Sequence, residues 1–204
     1  MDRLSRRAAL ATGAGAVASV AGCLGIGSGS GANPDDLDPA ARPTIGPSGA
    51  SVRVVAFEDF SCPGCRAFQT SVFPAVSARY IQQGAVEYYH ADYPIPVDEW
   101  SYPVASAAWA VFEEAGDEAF FEFVAEMYGR SGSYSLDLIE TAGESAGGVG
   151  AAARSAAEDE TYRDALNADK DIGSDWGVEG TPAVFVEDES VDPAELLDVL
   201  ADRV

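Results

Sequence analysis

Apolar positions change period along this chain, and the order of those changes predicts a fold. Residues 51–57, Ser-Val-Arg-Val-Val-Ala-Phe, form a strand-like run. Over residues 66–83, Phe68, Val72, Val76 and Tyr80 recur every fourth position, which predicts an amphipathic helix kinked at Pro74 and stopped by Gly84. Residues 86–90 read as a second strand, closed by Asp92-Tyr93-Pro94-Ile95-Pro96. From Glu99 to about Gly173 the pattern is helical: Ala105, Ala108, Trp109 and Phe112, then Phe120, Phe123, Val124 and Met127, share helical spacing. Two weaker helices are expected over 136–146 and 151–168, parted at Gly147-Gly148. Strand character returns over 183–187, and a last helix begins where Asp192 can cap it with Pro193 at the first position. Only residues 188–191 separate the two, so the closing hairpin reads as abbreviated and the presence of its last strand stays open. The order β-α-β, helical block, β, α predicts an α/β domain over 50–204, in which a small sheet carries a helical insertion over about 99–173.

The residues before this domain follow a different rule. Arg3, Arg6 and Arg7 precede a short run of small and apolar residues, 8–22, that ends in Val20-Ala21-Gly22-Cys23. Ser5-Arg6-Arg7-Ala8-Ala9-Leu10 resembles a twin-arginine export motif with Ala9 where a bulky residue is usual, and residues 20–23 resemble a lipobox, in which Cys23 would be lipidated. Plain cleavage and an uncleaved anchor are the alternatives. Residues 1–22 therefore read as a signal peptide and 23–49 as a Gly/Ser/Pro-rich tether, which as a flexible coil would hold the domain roughly 25–30 Å from a membrane. Thr44-Ile45 as an edge strand of the domain is the other reading of that stretch.

Charge narrows the setting. Asp and Glu number 34 against 12 Lys and Arg, a net charge of -22, and Lys170 is the one lysine. Such a chain repels nucleic acid and anionic headgroups at low salt. The acidic, alanine-rich, lysine-poor composition is similar to that of proteins from extremely halophilic archaea, where molar salt shortens screening to about 3 Å.

The chemistry lies in Cys62-Pro63-Gly64-Cys65, directly after the first strand and at the start of the first helix. Two thiols three positions apart project from one helical face, and the positive end of the helix favours a thiolate on the first. Cys62 is the candidate nucleophile and Cys65 the resolving thiol. With Cys23 assigned to lipid, these two account for the 3 cysteines of the chain. A paired-cysteine motif can also bind metal, but two cysteines and the single His90 do not complete a zinc site, so no metal or cofactor is expected. His90 reads as a packed residue rather than a base, and Trp100, Trp109, Phe112, Phe120, Phe121 and Phe123 as core.

Taken with Asp92-Tyr93-Pro94-Ile95 and with Gly177-Val178-Glu179-Gly180-Thr181-Pro182 before an apolar strand, the cysteine motif resembles the DsbA-like branch of the thioredoxin superfamily over about residues 50–204. The resemblance implies a thioredoxin-like fold with an inserted helical subdomain. It also implies a cis peptide bond at Pro182, with Thr181 offering backbone groups to an extended substrate and Pro63 and Gly64 forming the active-site loop. The activity implied is thiol-disulfide exchange with exported proteins, oxidation or isomerisation being favoured, by a monomer on the outer face of the membrane that a membrane redox partner recycles. A reductase for one dedicated partner and a thiol- or metal-binding module on the same scaffold are the alternatives. Two departures matter. Gly64 stands where many relatives carry His or Tyr, and Ala56 where an acid is frequent, while Glu58 and Asp59 lie closer, where a carboxylate would raise the Cys62 pKa.

Overall fold

Five strands form one sheet at the centre of the computed structural model, which describes residue 37 and residues 41–204. They are β1 (Thr44–Ile45), β2 (Val52–Glu58), β3 (Val86–Asp92), β4 (Ala183–Val186) and β5 (Glu189–Val191), in the order β1-β3-β2-β4-β5. The β2 and β3 strands run parallel, whereas β1, β4 and β5 pair antiparallel to their neighbours. Every residue of β3 is buried, as the parallel centre of a sheet covered on both faces requires. Alternation along β2 divides its side chains: Val52, Val54 and Ala56 join the core beneath the helical insertion, while Val55 and Phe57 pack with Tyr89, Trp176 and Phe185 on the other face.

The helices are α1 (Pro63–Ala67), α2 (Phe73–Val76), α3 (Ser101–Gly129), α4 (Leu136–Gly147), α5 (Gly150–Asp159), α6 (Arg163–Asp175) and α7 (Leu196–Arg203). Helices α3 to α6 fill the stretch in which the sequence shows no strand, and they make the expected insertion between β3 and β4. Among the described residues no helix is long and apolar enough to cross a membrane.

Four local features differ from expectation, each for a physical reason. The helix expected over 66–83 is widened by π turns at Phe68–Val72 and Ser77–Ile81. Pro74 has no N–H to give, and just before it the Phe73 N–H reaches back to the carbonyl of Phe68, five residues away. The helix expected over 151–168 is two helices, because Glu160 ends α5 in the left-handed conformation at φ 48. Strand β5 is present, so the closing hairpin is complete though short. Its two turn residues are Glu187 and Asp188, with Glu187 at φ 56 where such a turn ordinarily takes glycine, which hid the hairpin in the sequence. Asp192 caps a turn ahead of α7, accepting from the Ala194 N–H at 2.9 Å, and the helix itself begins later.

At the N-terminal side the packed chain starts before residue 50. Leu37 is buried with Trp176 and Phe185, Thr44–Ile45 is an edge strand, and Arg42 makes a buried ion pair at 2.6 Å with Asp169. Composition could not show this, because the partners lie far along the chain. The signal peptide, most of the tether and Cys23 fall outside the described residues.

Candidate active site

The β2 strand ends at Glu58, and the turn that follows delivers Cys62 to the N-cap of α1 with an extended backbone, φ -77 and ψ 122. Pro63 then occupies the first helical turn, where its missing N–H costs nothing. Both cysteines are free thiols, Cys62 with 7% of its surface exposed and Cys65 with 0%. One sulfur can therefore meet a partner while the other waits beneath it.

Their acidities diverge. Cys62 is lowered from 9.0 to about 5, chiefly by a hydrogen bond from Cys65, against the opposing effect of burial, with help from Thr181 and from the N–H groups of Cys65 and Gly64. Cys65 is driven far above the ordinary thiol range by burial first, then by its hydrogen bond to Cys62 and by the charge of Glu58. The more acidic thiol of the pair is thus the one with exposed surface, and the less acidic one lies beneath it. Of the two carboxylates expected to oppose the Cys62 thiolate, Asp59 does face its charge, whereas Glu58 bears on the other sulfur, buried on the Cys65 side with Gln69 and Tyr88.

The loop before β4 reaches the same place. The Thr181–Pro182 bond is cis, and Cys62 Sγ lies 3.2 Å from the Thr181 carbonyl oxygen, to which it donates only while it holds its proton. A Cβ placed on Gly64 would lie 3.0 Å from Pro182 Cδ, 3.5 Å from Thr181 O and 3.6 Å from Cys62 Sγ. A side chain at this position would press on the ring of Pro182. The Thr181 hydroxyl is buried without a hydrogen-bond partner. Residues read separately from the sequence, Cys62, Pro63, Gly64, Cys65, Thr181 and Pro182, are thereby brought together.

Asp59 ties this loop to its surroundings. Its carboxylate accepts from the N–H groups of Ser61 and Ile95, each at 2.8 Å, and its own N–H donates to Cys65 Sγ at 3.4 Å. Burial raises its pKa to about 6 against these hydrogen bonds. Replacing Asp59 with alanine leaves two amide donors without an acceptor, so the variant is expected to lose about 2–4 kcal/mol of stability in denaturant titration. A loss below about 0.5 kcal/mol would mean that Asp59 does not hold the loop.

Sequence reasoning named Glu58 and Asp92 but missed their burial and the polar partners Gln69, Tyr88 and Tyr128 that gather around Glu58. Their one signal was acid inside apolar strand text, Ala-Phe-Glu at the end of β2 and His-Ala-Asp at the end of β3. His90 is packed at 0% exposure, as read, but it is also ion-paired, lying 3.7 Å from Glu58 and 3.5 Å from Asp92. Among the described residues no group of three or more His, Cys, Asp or Glu is arranged to hold a metal ion.

Comparison with known proteins agrees with this geometry. The chain is 34% identical over 85 residues to the probable disulfide bond formation protein D of Bacillus cereus, a match covering 42% of this chain and only 38% of that relative. With disulfide bond formation protein D of Bacillus subtilis it shares 23% identity over 161 residues, covering 74% of this chain and 69% of the relative. Among solved structures, oxidised BdbD from Bacillus subtilis superposes with a TM-score of 0.73 at 21% identity, over 81% of this chain and 94% of that one. DsbA of Chlamydia trachomatis gives 0.72 at 18% identity, over 81% and 93%. The Thioredoxin family model matches residues 40–201, a span that takes in all five strands and both buried cysteines, so the chain belongs to the thioredoxin family and has its DsbA-like fold with a helical insertion.

Proposed function

We propose that this protein is a protein disulfide oxidoreductase that oxidises thiols of exported proteins through Cys62 and Cys65. The observation that carries the direction is the hydrogen-bonded Cys62 thiolate, lowered to about 5, because anything that stabilises the dithiol form makes the disulfide a stronger oxidant. In the oxidising cycle a substrate thiolate attacks Cys62 Sγ of the Cys62–Cys65 disulfide, and Cys65 leaves as thiolate. A second substrate thiolate then attacks the substrate sulfur of the mixed disulfide, forming the substrate's bond and releasing Cys62 as thiolate. Two electrons pass to the protein, and a membrane redox partner takes them up again. Thr181, beside the cis bond, presents backbone groups for an extended substrate segment. The relatives named disulfide bond formation protein D support the same reading.

In this proposal a twin-arginine signal exports the chain and lipid on Cys23 holds it, as a monomer, at the outer face of the membrane in concentrated salt. Equilibrating the described domain with glutathione buffers in molar KCl tests the direction. The expected potential lies near the oxidising end of related dithiols, about -120 mV, rather than near about -270 mV. A value at the reducing end would replace oxidation by reduction of a dedicated partner.

A further inference from the structure

The segment Asp92-Tyr93-Pro94-Ile95 stands out in the sequence, and thiol exchange by itself gives it no part to play. In the structure Tyr93 touches both halves of the site. Its backbone N–H donates to the Glu58 carbonyl at 2.8 Å, where β2 ends ahead of the turn to Cys62. Its hydroxyl donates to the Val178 carbonyl at 2.8 Å, in the loop that runs to the cis bond. One buried residue thus joins the strand that leads to the exposed sulfur with the loop that faces it.

That loop has little else to hold it. The Val178 N–H donates to the Gly173 carbonyl at 2.8 Å, and the Val178 side chain shares a buried cluster with Tyr93, Phe57 and Trp176. Beyond it, among the described residues, neither Glu179 nor Gly180 has a hydrogen bond, and the next contact is that of Cys62 Sγ with the Thr181 carbonyl. The Val178 carbonyl is therefore the last fixed point before Thr181, and the Tyr93 hydroxyl fixes it. We infer that Tyr93, braced by Lys170, is a positioning residue for substrate binding: it sets the Thr181 backbone at the distance from Cys62 at which an extended peptide can pair with the one and react with the other. This rests on the exchange activity proposed above.

A strut must itself be rigid, and the surroundings of Tyr93 make it so. A Cβ placed on Gly173 of α6 would lie 2.8 Å from Tyr93 Cδ2 and 3.0 Å from two ring carbons of Phe57, so glycine lets the helix close on both rings. Phe57 meets the Tyr93 ring edge to face, with 6.4 Å between centroids. Lys170, the one lysine of the chain, donates from Nζ to the Pro94 carbonyl at 2.6 Å and lies 5.5 Å from the centre of the Tyr93 ring. Ser174 Oγ is 3.2 Å from the Tyr93 hydroxyl, and the Ile95 N–H donates to Asp59 at 2.8 Å, which pins the same segment to the active-site turn. With the ring and the backbone both held, the place of the Val178 carbonyl follows from that of β2. A buried carbonyl that loses its donor carries a desolvation cost, which a loop relieves by moving toward water. Such a move takes Thr181 away from Cys62.

Single turnovers of the disulfide form with two different thiols separate binding from chemistry. One is a short unstructured peptide with two cysteines, which can pair with Thr181; the other is 2-mercaptoethanol, which has no backbone to pair. In each case two electrons pass to the Cys62–Cys65 disulfide, and the thiols leave joined as their own disulfide. Tyr93→Phe keeps the ring and removes one oxygen. It is expected to raise the peptide concentration that half-saturates the rate about tenfold while the limiting rate stays within about threefold, and to change the rate with 2-mercaptoethanol by less than about twofold. Lys170→Met, which releases the Pro94 carbonyl, is expected to raise the same half-saturating concentration about fivefold, and it carries the test should Tyr93→Phe fail to fold. Half-saturation within about twofold of the natural value would overturn the proposal, as would equal slowing with both thiols, since that would make Tyr93 a general support of the fold. A natural protein that oxidises 2-mercaptoethanol but never saturates with peptide would overturn the positioning role alone. Oxidation of neither thiol would remove the exchange activity and the proposal with it.

Discussion

Replacing Cys65 with serine is expected to turn passing encounters into isolable covalent complexes, whereas replacing Cys62 with serine is expected to reduce exchange to background. Cys62 is the sulfur with surface to offer, and Cys65, at 0% exposure, can reach only Cys62. A serine at position 65 keeps an O–H donor for the Cys62 thiolate, so attack persists while resolution stops. An alanine there removes the strongest of the influences that lower Cys62, so Cys65→Ala is expected to trap partners more slowly than Cys65→Ser. Incubation with an unfolded test protein that still holds its disulfides, whose sulfur the Cys62 thiolate attacks, and non-reducing electrophoresis reads both outcomes. Equal and complete loss in both cysteine variants, with no trapped complex, would reverse or abolish the assigned roles.

What the sequence could disclose follows from how local each cause is. The cysteine motif, its position between strand and helix, and Thr181-Pro182 before an apolar strand are short-range signals, and the structure joins them within hydrogen-bond distance. The helical insertion was legible because 3.6-residue periodicity is also local. Edge strand β1 was legible only as an alternative, since Thr44–Ile45 owes its place to β3 and to Asp117, whose carboxylate accepts from the Thr44 N–H at 2.7 Å. Strand β5 escaped because its turn uses Glu187 in a conformation that sequence normally signals with glycine.

The polar residues below Cys65 show the sharper limit. Glu58 and Asp59 could be counted back from Cys62, and that count suggested repulsion of the nucleophile, which holds for Asp59 alone. Distance along a chain gives no direction for a side chain. Burial of Glu58 beside Gln69 and Tyr88 turns the same charge onto Cys65 and leaves hydrogen bonds to govern Cys62. The two sulfurs are driven apart by these environments, and the gap between them, more than the motif, carries the functional conclusion.

Alkylation of Cys62 is expected to be insensitive to pH above about pH 6 and to fall about tenfold per unit below about pH 5, where an ordinary thiol at 9.0 would still be gaining reactivity at pH 8. At neutral pH this corresponds to about a hundredfold more thiolate than the ordinary thiol holds. The consequence for stability has a definite sign. Because Cys62 is lowered on folding, its contribution to the dithiol form is complete above its unfolded value of 9.0 and disappears as pH falls through about 5. Cys65, raised on folding, contributes nothing that varies below the ordinary thiol value, and Asp59, raised to about 6, is present in both redox forms, so its effect largely cancels between them. Thermal melts of the dithiol and disulfide forms in molar KCl should therefore place the dithiol form higher near pH 8, with the gap closing steadily toward pH 5. A gap that stayed constant across that window would remove the stabilised thiolate, and with it the physical reason for the proposed oxidising direction.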